Sequence, residues 1–166
     1  MRRGSRRGSR QAAKCRFAGF VYLAMLGCVA AFAVATAVAA TAWQSAARRD
    51  REQQLLRVGA AYAAAIKSFR RHAPGSAVMN PRTLEELVSD SRFPRPVRHL
   101  RRQYADPTKP QAPWVLIRDA EGRIAGLHSS NHDAPLRVTP IDLGVVRLAA
   151  ARKYSDWKFV VQETRR

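Results

Sequence analysis

The chain has 166 residues, with 30 Lys and Arg against 12 Asp and Glu, which gives a formal net charge of +18. This length supports one small domain beside an apolar segment and leaves little room for a deep enzyme cleft. A net positive charge of this size suggests nucleic acid as a possible binding partner. However, residues 1–16 alone carry seven basic and no acidic side chains, which is typical of the cytoplasmic flank of a membrane segment. We therefore expect no nucleic-acid partner.

An uncharged segment follows, from Phe17 to Ala47. Its 31 residues exceed the ~20 that a helix needs to cross the hydrocarbon core. Backbone groups in lipid have to be paired with one another, which requires a helix there. Trp43 suits the far membrane interface. We expect a membrane-spanning helix to about residue 43, with a cytoplasmic N-terminus and an exported C-terminal domain.

Two other interpretations of this segment stay open. A cleaved signal peptide has an apolar core of ~7–15 residues, about half the present run, although the small residues at 37–42 could still be cut. A lipoprotein signal would use Cys28, but the apolar run continues far beyond that residue. Cys15 and Cys28 lie in different environments, so no disulfide is expected.

The helix is predicted to continue beyond the membrane, because Ala46–Arg71 is rich in good helix formers. Leu55, Tyr62, Ile66 and Phe69 share one face at helical spacing and should pack on the sheet of the outer domain. The opposite face is predicted to hold the charged residues Arg48, Arg49, Arg51, Glu52 and Lys67. The predicted helix runs from Phe20 to His72, before a stop signal at Ala73-Pro74-Gly75.

The C-terminal region is predicted to be α+β. A short helix over Thr83–Val88 carries a capping-box pattern in which Glu86 follows Thr83 at the third position. After a proline-rich stretch, Trp114–Arg118 is predicted to form a strand. Asp119–Gly122 is predicted to be a hairpin turn, and Arg123–His128 is predicted to be the returning strand.

Three further segments complete the predicted domain. Ser129–Pro135 is expected to be a polar loop. Ile141–Ala151 is predicted to form a short helix, and Trp157–Val161 a final strand.

These segments, in this order, resemble the type II secretion pseudopilins, which are relatives of the type IV pilins. The likeness covers most of residues 19–130, and its order and spacing carry it. Its motifs are Gly19-Phe20-Val21-Tyr22-Leu23, Arg82-Thr83-Leu84-Glu85-Glu86-Leu87, Tyr104-Ala105-Asp106-Pro107, Trp114–Arg118 and Ile124–Ser130. The resemblance implies a pilin-like fold, with a long N-terminal helix packed on a small antiparallel sheet.

The resemblance also implies an organisation and a function. Residues 1–19 would be a basic leader cut by the prepilin peptidase between Gly19 and Phe20. Residues 20–73 would form the long helix, and residues 74–166 a periplasmic α+β domain. The chain would be a non-enzymatic structural subunit in the bacterial inner membrane, with other pseudopilin or secretion-machine subunits as partners, and would contribute to protein secretion across the outer membrane. The alternative is a generic single-pass inner-membrane protein with a periplasmic binding domain.

One position departs from the family in a way that affects assembly. The family typically has a glutamate at the fifth position of the mature chain, and here that position is Ala24. The family glutamate is thought to pair with the N-terminal amine of a neighbouring subunit in an apolar environment, where an unpaired charge is costly. Its absence implies a minor, tip-located or accessory subunit, or a relative that does not polymerise.

The residues that could carry chemistry are few. His128 and His132 lie four apart, but Ser129-Ser130-Asn131 favours a loop, so solvated histidines are expected rather than a metal pair. No Gly-x-Ser-x-Gly motif accompanies the serines. The cluster at 128–133 is the sole support for a third class, a secreted enzyme.

The resemblance suggests one cofactor, calcium, because major pseudopilins bind calcium through their C-terminal loops. The candidate ligands are Asp106, Asn131 and Asp133. Calcium takes six to eight oxygen ligands, several of them from carboxylates, and this set supplies few. We therefore expect no cofactor and an ordinary turn-rich loop.

Overall fold

The computed structural model describes residues 11–73 and 79–161, with side chains from residue 20 onward. The chain divides into two compact units, Met1–Ala47 and Arg48–Arg166. Most of the basic leader and the predicted helix stop at Pro74-Gly75 lie outside the described residues.

The first unit consists of the apolar part of helix α1, which spans Gln11–Arg71 as a whole. The helix begins earlier than the predicted start at Phe20 and ends at Arg71, one residue before the predicted end. Among the described residues, α1 is the one helix long and apolar enough to cross a membrane. The hydroxyls of Thr36 and Thr41 donate to backbone carbonyls one turn earlier, at 2.9 and 2.8 Å. Pairing of these two hydroxyls within the helix suits an environment without water.

The second unit contains the outer part of α1 and the C-terminal domain. Leu55, Tyr62, Ile66 and Phe69 are all buried, each with at most 2% of its surface exposed, so the predicted packing face is confirmed. These side chains belong to one hydrophobic core together with Ile124, Leu127, Trp157 and Phe159.

A three-stranded antiparallel sheet forms the β part of this core. Strand β1 is Val115–Arg118, β2 is Ile124–His128 and β5 is Phe159–Val160, in the order β1-β2-β5. Each of the three lies within a segment predicted to be a strand. The predicted α+β fold, with a helix packed on a small antiparallel sheet, is confirmed.

The turn between β1 and β2 is built by Asp119. Its carboxylate Oδ1 accepts hydrogen bonds from the backbone N–H groups of Glu121 and Arg123, at 3.1 and 2.7 Å. Gly122 has φ +75°, a conformation that glycine adopts without steric cost. This chemistry matches the predicted hairpin.

The predicted helix over Ile141–Ala151 is wrong. The segment forms a second hairpin, with β3 at Ile141–Asp142 and β4 at Arg147–Leu148. The Asp142 carboxylate accepts the backbone N–H of Gly144 at 2.8 Å, and Gly144 has φ +75°. An Asx turn followed by a glycine in the left-handed region favours a tight turn over a helix.

The predicted capping box is also wrong. Helix α2 spans only Glu85–Val88, and the residue at its N-cap is Leu84, which makes no side-chain capping bond. Glu86 does fold back toward the helix start, but its carboxylate accepts the backbone N–H of Arg82 at 2.8 Å instead of that of Thr83.

Candidate functional site

The predicted processing residues lie within α1. The helix passes through Gly19 and Phe20 without a break, and the Phe20 side chain is exposed. Ala24 lies about one turn further along and is also exposed. The first acidic residue of the whole chain is Asp50, so the apolar part of α1 offers no carboxylate to a neighbouring amine.

The calcium candidates divide between a buried network and the surface. Asp106 is fully buried and accepts hydrogen bonds from the Ser129 hydroxyl and from the N–H and hydroxyl of Thr108, the last two at 2.8 and 2.7 Å. The N–H of Asn131 donates to Ser129 Oγ at 2.9 Å, whereas Asp133 is exposed. Asp106 and Asn131 therefore both contact Ser129, and the donors around Asp106 make its carboxylate the centre of a structural turn.

The two histidines of the same region are not paired. His128 ends strand β2, with Nδ1 2.9 Å from the carbonyl oxygen of Ser129. His132 lies in the following loop, with Nδ1 3.3 Å from the hydroxyl of Ser155. The predicted loop is confirmed, so the helical spacing that a His pair would need is absent. Among the described residues, no group of three or more His, Cys, Asp or Glu side chains is arranged to hold a metal ion.

A polar cluster missed by the sequence analysis lies at the C-terminal end of α1. Asp90 is 1% exposed and accepts from Arg92 through Nε, at 2.9 and 3.0 Å, and through Nη2, at 2.6 Å. Arg92 Nη2 also donates to the carbonyl of Phe69 at 3.1 Å, and the guanidinium lies 3.5 Å from the centre of the Phe69 ring. We call Ser68, Asp90, Arg92 and His99 the Asp90 cluster.

The electrostatics of this cluster follow from Arg92. Its hydrogen bonds lower the pKa of Asp90 to about 2, against the opposing effect of burial, with a smaller contribution from His99. Asp90 is therefore ionised at neutral pH and accepts a hydrogen bond from His99 Nε2–H at 3.2 Å. The Ser68 hydroxyl lies 2.9 Å from the other ring nitrogen of this histidine, His99 Nδ1.

Ser68, His99 and Asp90 thus form the contacts of a hydrolytic triad, and the surroundings decide what the arrangement can do. A serine nucleophile needs donors that stabilise the oxyanion of the tetrahedral intermediate. Ser68 lies inside α1, where the neighbouring backbone N–H groups are engaged in helix bonds. The negative charge of the ionised Asp90 is also balanced by the guanidinium of Arg92. The cluster is suited to fixing the loop that follows α2 against the last turns of α1.

A second buried carboxylate corrects the predicted polar face of α1. Glu52 was expected to be exposed, but only 4% of its surface is. Its carboxylate accepts the backbone N–H groups of Leu136 and Arg137, at 2.6 and 3.1 Å, and the hydroxyl of Tyr154 at 2.9 Å. Burial, followed by the bond to Glu52, raises the pKa of Tyr154. Glu52 therefore ties the loop after β2 to the helix.

The sequence carried only weak signals for these two clusters. Glu52 lies three residues before Leu55 and ten before Tyr62, a helical spacing that places it on the buried side. Asp90 and Arg92 form a local acid–base pair, but their link to Ser68 and His99 joins segments that are separated along the chain. Such contacts have no periodic signature.

An open cavity of about 540 Å³ lies near the end of α1, lined in part by Arg70, Asn80, Arg82, Asp119 and Arg123. Two of its polar groups bond to each other, since Asn80 Nδ2 donates to Asp119 Oδ2 at 2.8 Å. Because the lining carries both signs of charge, the cavity does not select a ligand class.

Comparison with known proteins gives no match: no protein-family model, no curated protein and no solved structure shows significant similarity to the chain. The fold itself is pilin-like in architecture, with a long apolar N-terminal helix packed on a small antiparallel sheet.

Proposed function

We propose that the chain is a structural, pilin-like subunit of a type II secretion or type IV pilus-like machine, and that it contributes to protein secretion across the outer membrane. The observation that carries this proposal is the change in surroundings along α1. Its large apolar side chains between Phe20 and Trp43 are all exposed, whereas those from Leu55 to Phe69 are buried or partly buried in the outer domain. One helix is therefore available for packing in a membrane or filament while it also holds a folded domain.

The physical basis of assembly would be helix packing in the bilayer. Transmembrane helices associate through close van der Waals contact, favoured by small residues, and residues 30–42 are mostly alanine, valine and threonine. The folded domain would then present contacts to other subunits or to cargo. This role needs no catalytic group.

The proposal places the protein in the bacterial inner membrane, with residues 1–16 in the cytoplasm and the domain beyond Trp43 in the periplasm. The positive charge of the N-terminal segment is the reason for this orientation. A reporter that is active only in the periplasm, fused after Arg166, should be active. Activity of a cytoplasmic reporter at the same position would contradict the orientation.

Processing provides the decisive experiment. In cells with an active prepilin peptidase, mass spectrometry of the purified protein should find a mature chain that begins at Phe20. Gly19→Arg should block cleavage, because a bulky side chain before the cut would crowd the scissile carbonyl, whereas Phe20→Leu should have a smaller effect. Gly8→Arg adds the same charge within the leader and should leave cleavage intact. A wild-type chain that still begins at Met1 would remove the secretion proposal and leave a generic single-pass protein.

The residue at position 24 provides a second test. Without a glutamate there, the freed amine of Phe20 would need a carboxylate from another subunit, because unpaired charges are costly in lipid. The chain should therefore join filaments built by other subunits and assemble poorly with itself. Ala24→Glu should increase self-association measured by cross-linking in membranes, whereas Ala24→Gln should not. An equal effect of both substitutions would argue against charge pairing.

A further inference from the structure

The loop that follows α2 separates its side chains into an inner and an outer set. We call residues 91–103 the Arg92 loop. Arg92 points inward to Asp90 and Phe69, and the His99 side chain is 1% exposed. The backbone N–H groups of His99 and Leu100 both donate to the carbonyl of Leu87, at 3.0 and 2.7 Å. These contacts hold the middle of the loop against the core.

The exposed charged side chains of the loop are all arginines, and its other exposed residues, Ser91, Pro94, Pro96 and Gln103, are uncharged. Arg95, Arg98, Arg101 and Arg102 are all exposed, and we call them the basic platform. Among the described residues, none of the four forms an ion pair with a carboxylate. The nearby Glu85 carboxylate accepts from the side chain of Gln103 at 2.9 Å. The platform therefore concentrates four positive charges within eight residues of a loop whose inner contacts fix its backbone.

We propose that the basic platform is a docking surface for an acidic segment of a partner protein. The guanidinium group of each of the four arginines can bind a planar carboxylate through two parallel hydrogen bonds. The Arg92–Asp90 anchor and Pro94 and Pro96 restrict the loop, so less conformational entropy is lost on binding than from a flexible basic tail.

The position of the platform favours a protein over lipid headgroups. Arg92 attaches the loop to Phe69 in the last turns of α1. From Arg48, the first charged residue after the apolar segment, to Phe69 is about 32 Å of helix. That separation exceeds the screening length of ~8 Å at physiological salt several-fold.

The experiment uses the full chain in neutral maltoside micelles and a fluorescein-labelled twelve-residue peptide of alternating Asp and Glu. Fluorescence anisotropy at 150 mM salt measures the affinity. The platform variant carries Gln at all four positions, Arg95, Arg98, Arg101 and Arg102. The matched control carries Gln at four other exposed arginines, Arg49, Arg57, Arg137 and Arg152, so that both variants lose the same charge.

The platform variant should bind the peptide at least tenfold more weakly than the wild type, and the control less than threefold more weakly. Equal losses in both variants would show general attraction to a basic protein and would overturn the proposal, as would an unchanged affinity in the platform variant. A labelled oligonucleotide of twelve nucleotides tests whether the platform binds phosphate groups in place of carboxylates. If the oligonucleotide bound through the four arginines and the peptide did not bind, the proposal would also be overturned. Because this docking does not depend on cleavage after Gly19, its failure is distinguishable from failure of the assembly proposal.

Discussion

At Gly59, helix α1 lies directly against the ring of Phe159 in strand β5. A Cβ atom added there would lie 2.3, 2.4 and 2.5 Å from three carbons of the Phe159 ring, where carbon–carbon contacts are normally ~3.5–4.0 Å. Phe159 is fully buried, so the ring cannot move into solvent. In an exposed helix, replacing glycine by alanine stabilises by about 1 kcal/mol. Overpacking a core costs typically about 1–3 kcal/mol, and three short contacts put this site at the upper end. Gly59→Ala should therefore destabilise the domain by about 2 kcal/mol.

Urea denaturation of a truncated chain beginning at Arg48 would measure this effect, with Trp114 and Trp157, both buried, as fluorescent probes. Ala64→Gly, at an exposed position of the same helix, is the matched control and should cost about 1 kcal/mol through propensity alone. In the double variant with Phe159→Leu, the cost of Gly59→Ala should fall by at least about 1 kcal/mol, because the ring atoms in contact are removed. A Gly59→Ala variant that is more stable than the wild type would refute the close contact.

Three further predictions concern the same domain. Phe69→Ala should cost about 3–5 kcal/mol in urea denaturation, because it empties a buried core site; a loss below about 1 kcal/mol would mean that Phe69 does not pack in the core. Glu52→Gln should cost about 1–3 kcal/mol by weakening charge-assisted bonds to the loop and to Tyr154, whereas a cost like that of Asp50→Asn, an exposed control, would refute the buried role. The folded pKa of Asp90, about 2, lies below its unfolded value of ~3.9. Asp90 should therefore stabilise the domain by about 2 kcal/mol above pH 4, a contribution lost as pH falls toward 2. Asp90→Asn should remove that part of the pH dependence of the unfolding free energy. An unchanged slope of unfolding free energy against pH in this variant would exclude the stabilising role of Asp90.

The sequence by itself determined the features that depend on local composition and periodicity. The apolar run from Phe17 to Ala47 is long enough to require a helix wherever water is absent. The spacing of Leu55, Tyr62, Ile66 and Phe69 fixed which face of α1 is buried, because side chains on a helix repeat every 3.6 residues. The first hairpin followed from Asp119 and Gly122, whose turn chemistry is contained in four residues.

Local pattern was insufficient where two local signals competed. Ile141–Ala151 contains enough apolar residues for a helical pattern, yet Asp142 and Gly144 form a turn and the segment pairs with itself as strands. In the hairpin, the paired residues Ile141 and Leu148 are buried, and the paired residues Asp142 and Arg147 are exposed. This pattern can be recognised only when the position of the turn is known.

Only the tertiary structure decided the environment of the buried charges. Glu52 bonds with Leu136 and Tyr154, 84 and 102 residues further along the chain, and the Asp90 cluster joins Ser68 to His99. A carboxylate becomes a core residue when donors from distant segments replace its lost water. The sequence shows the charge, whereas the donors are brought to it only by folding.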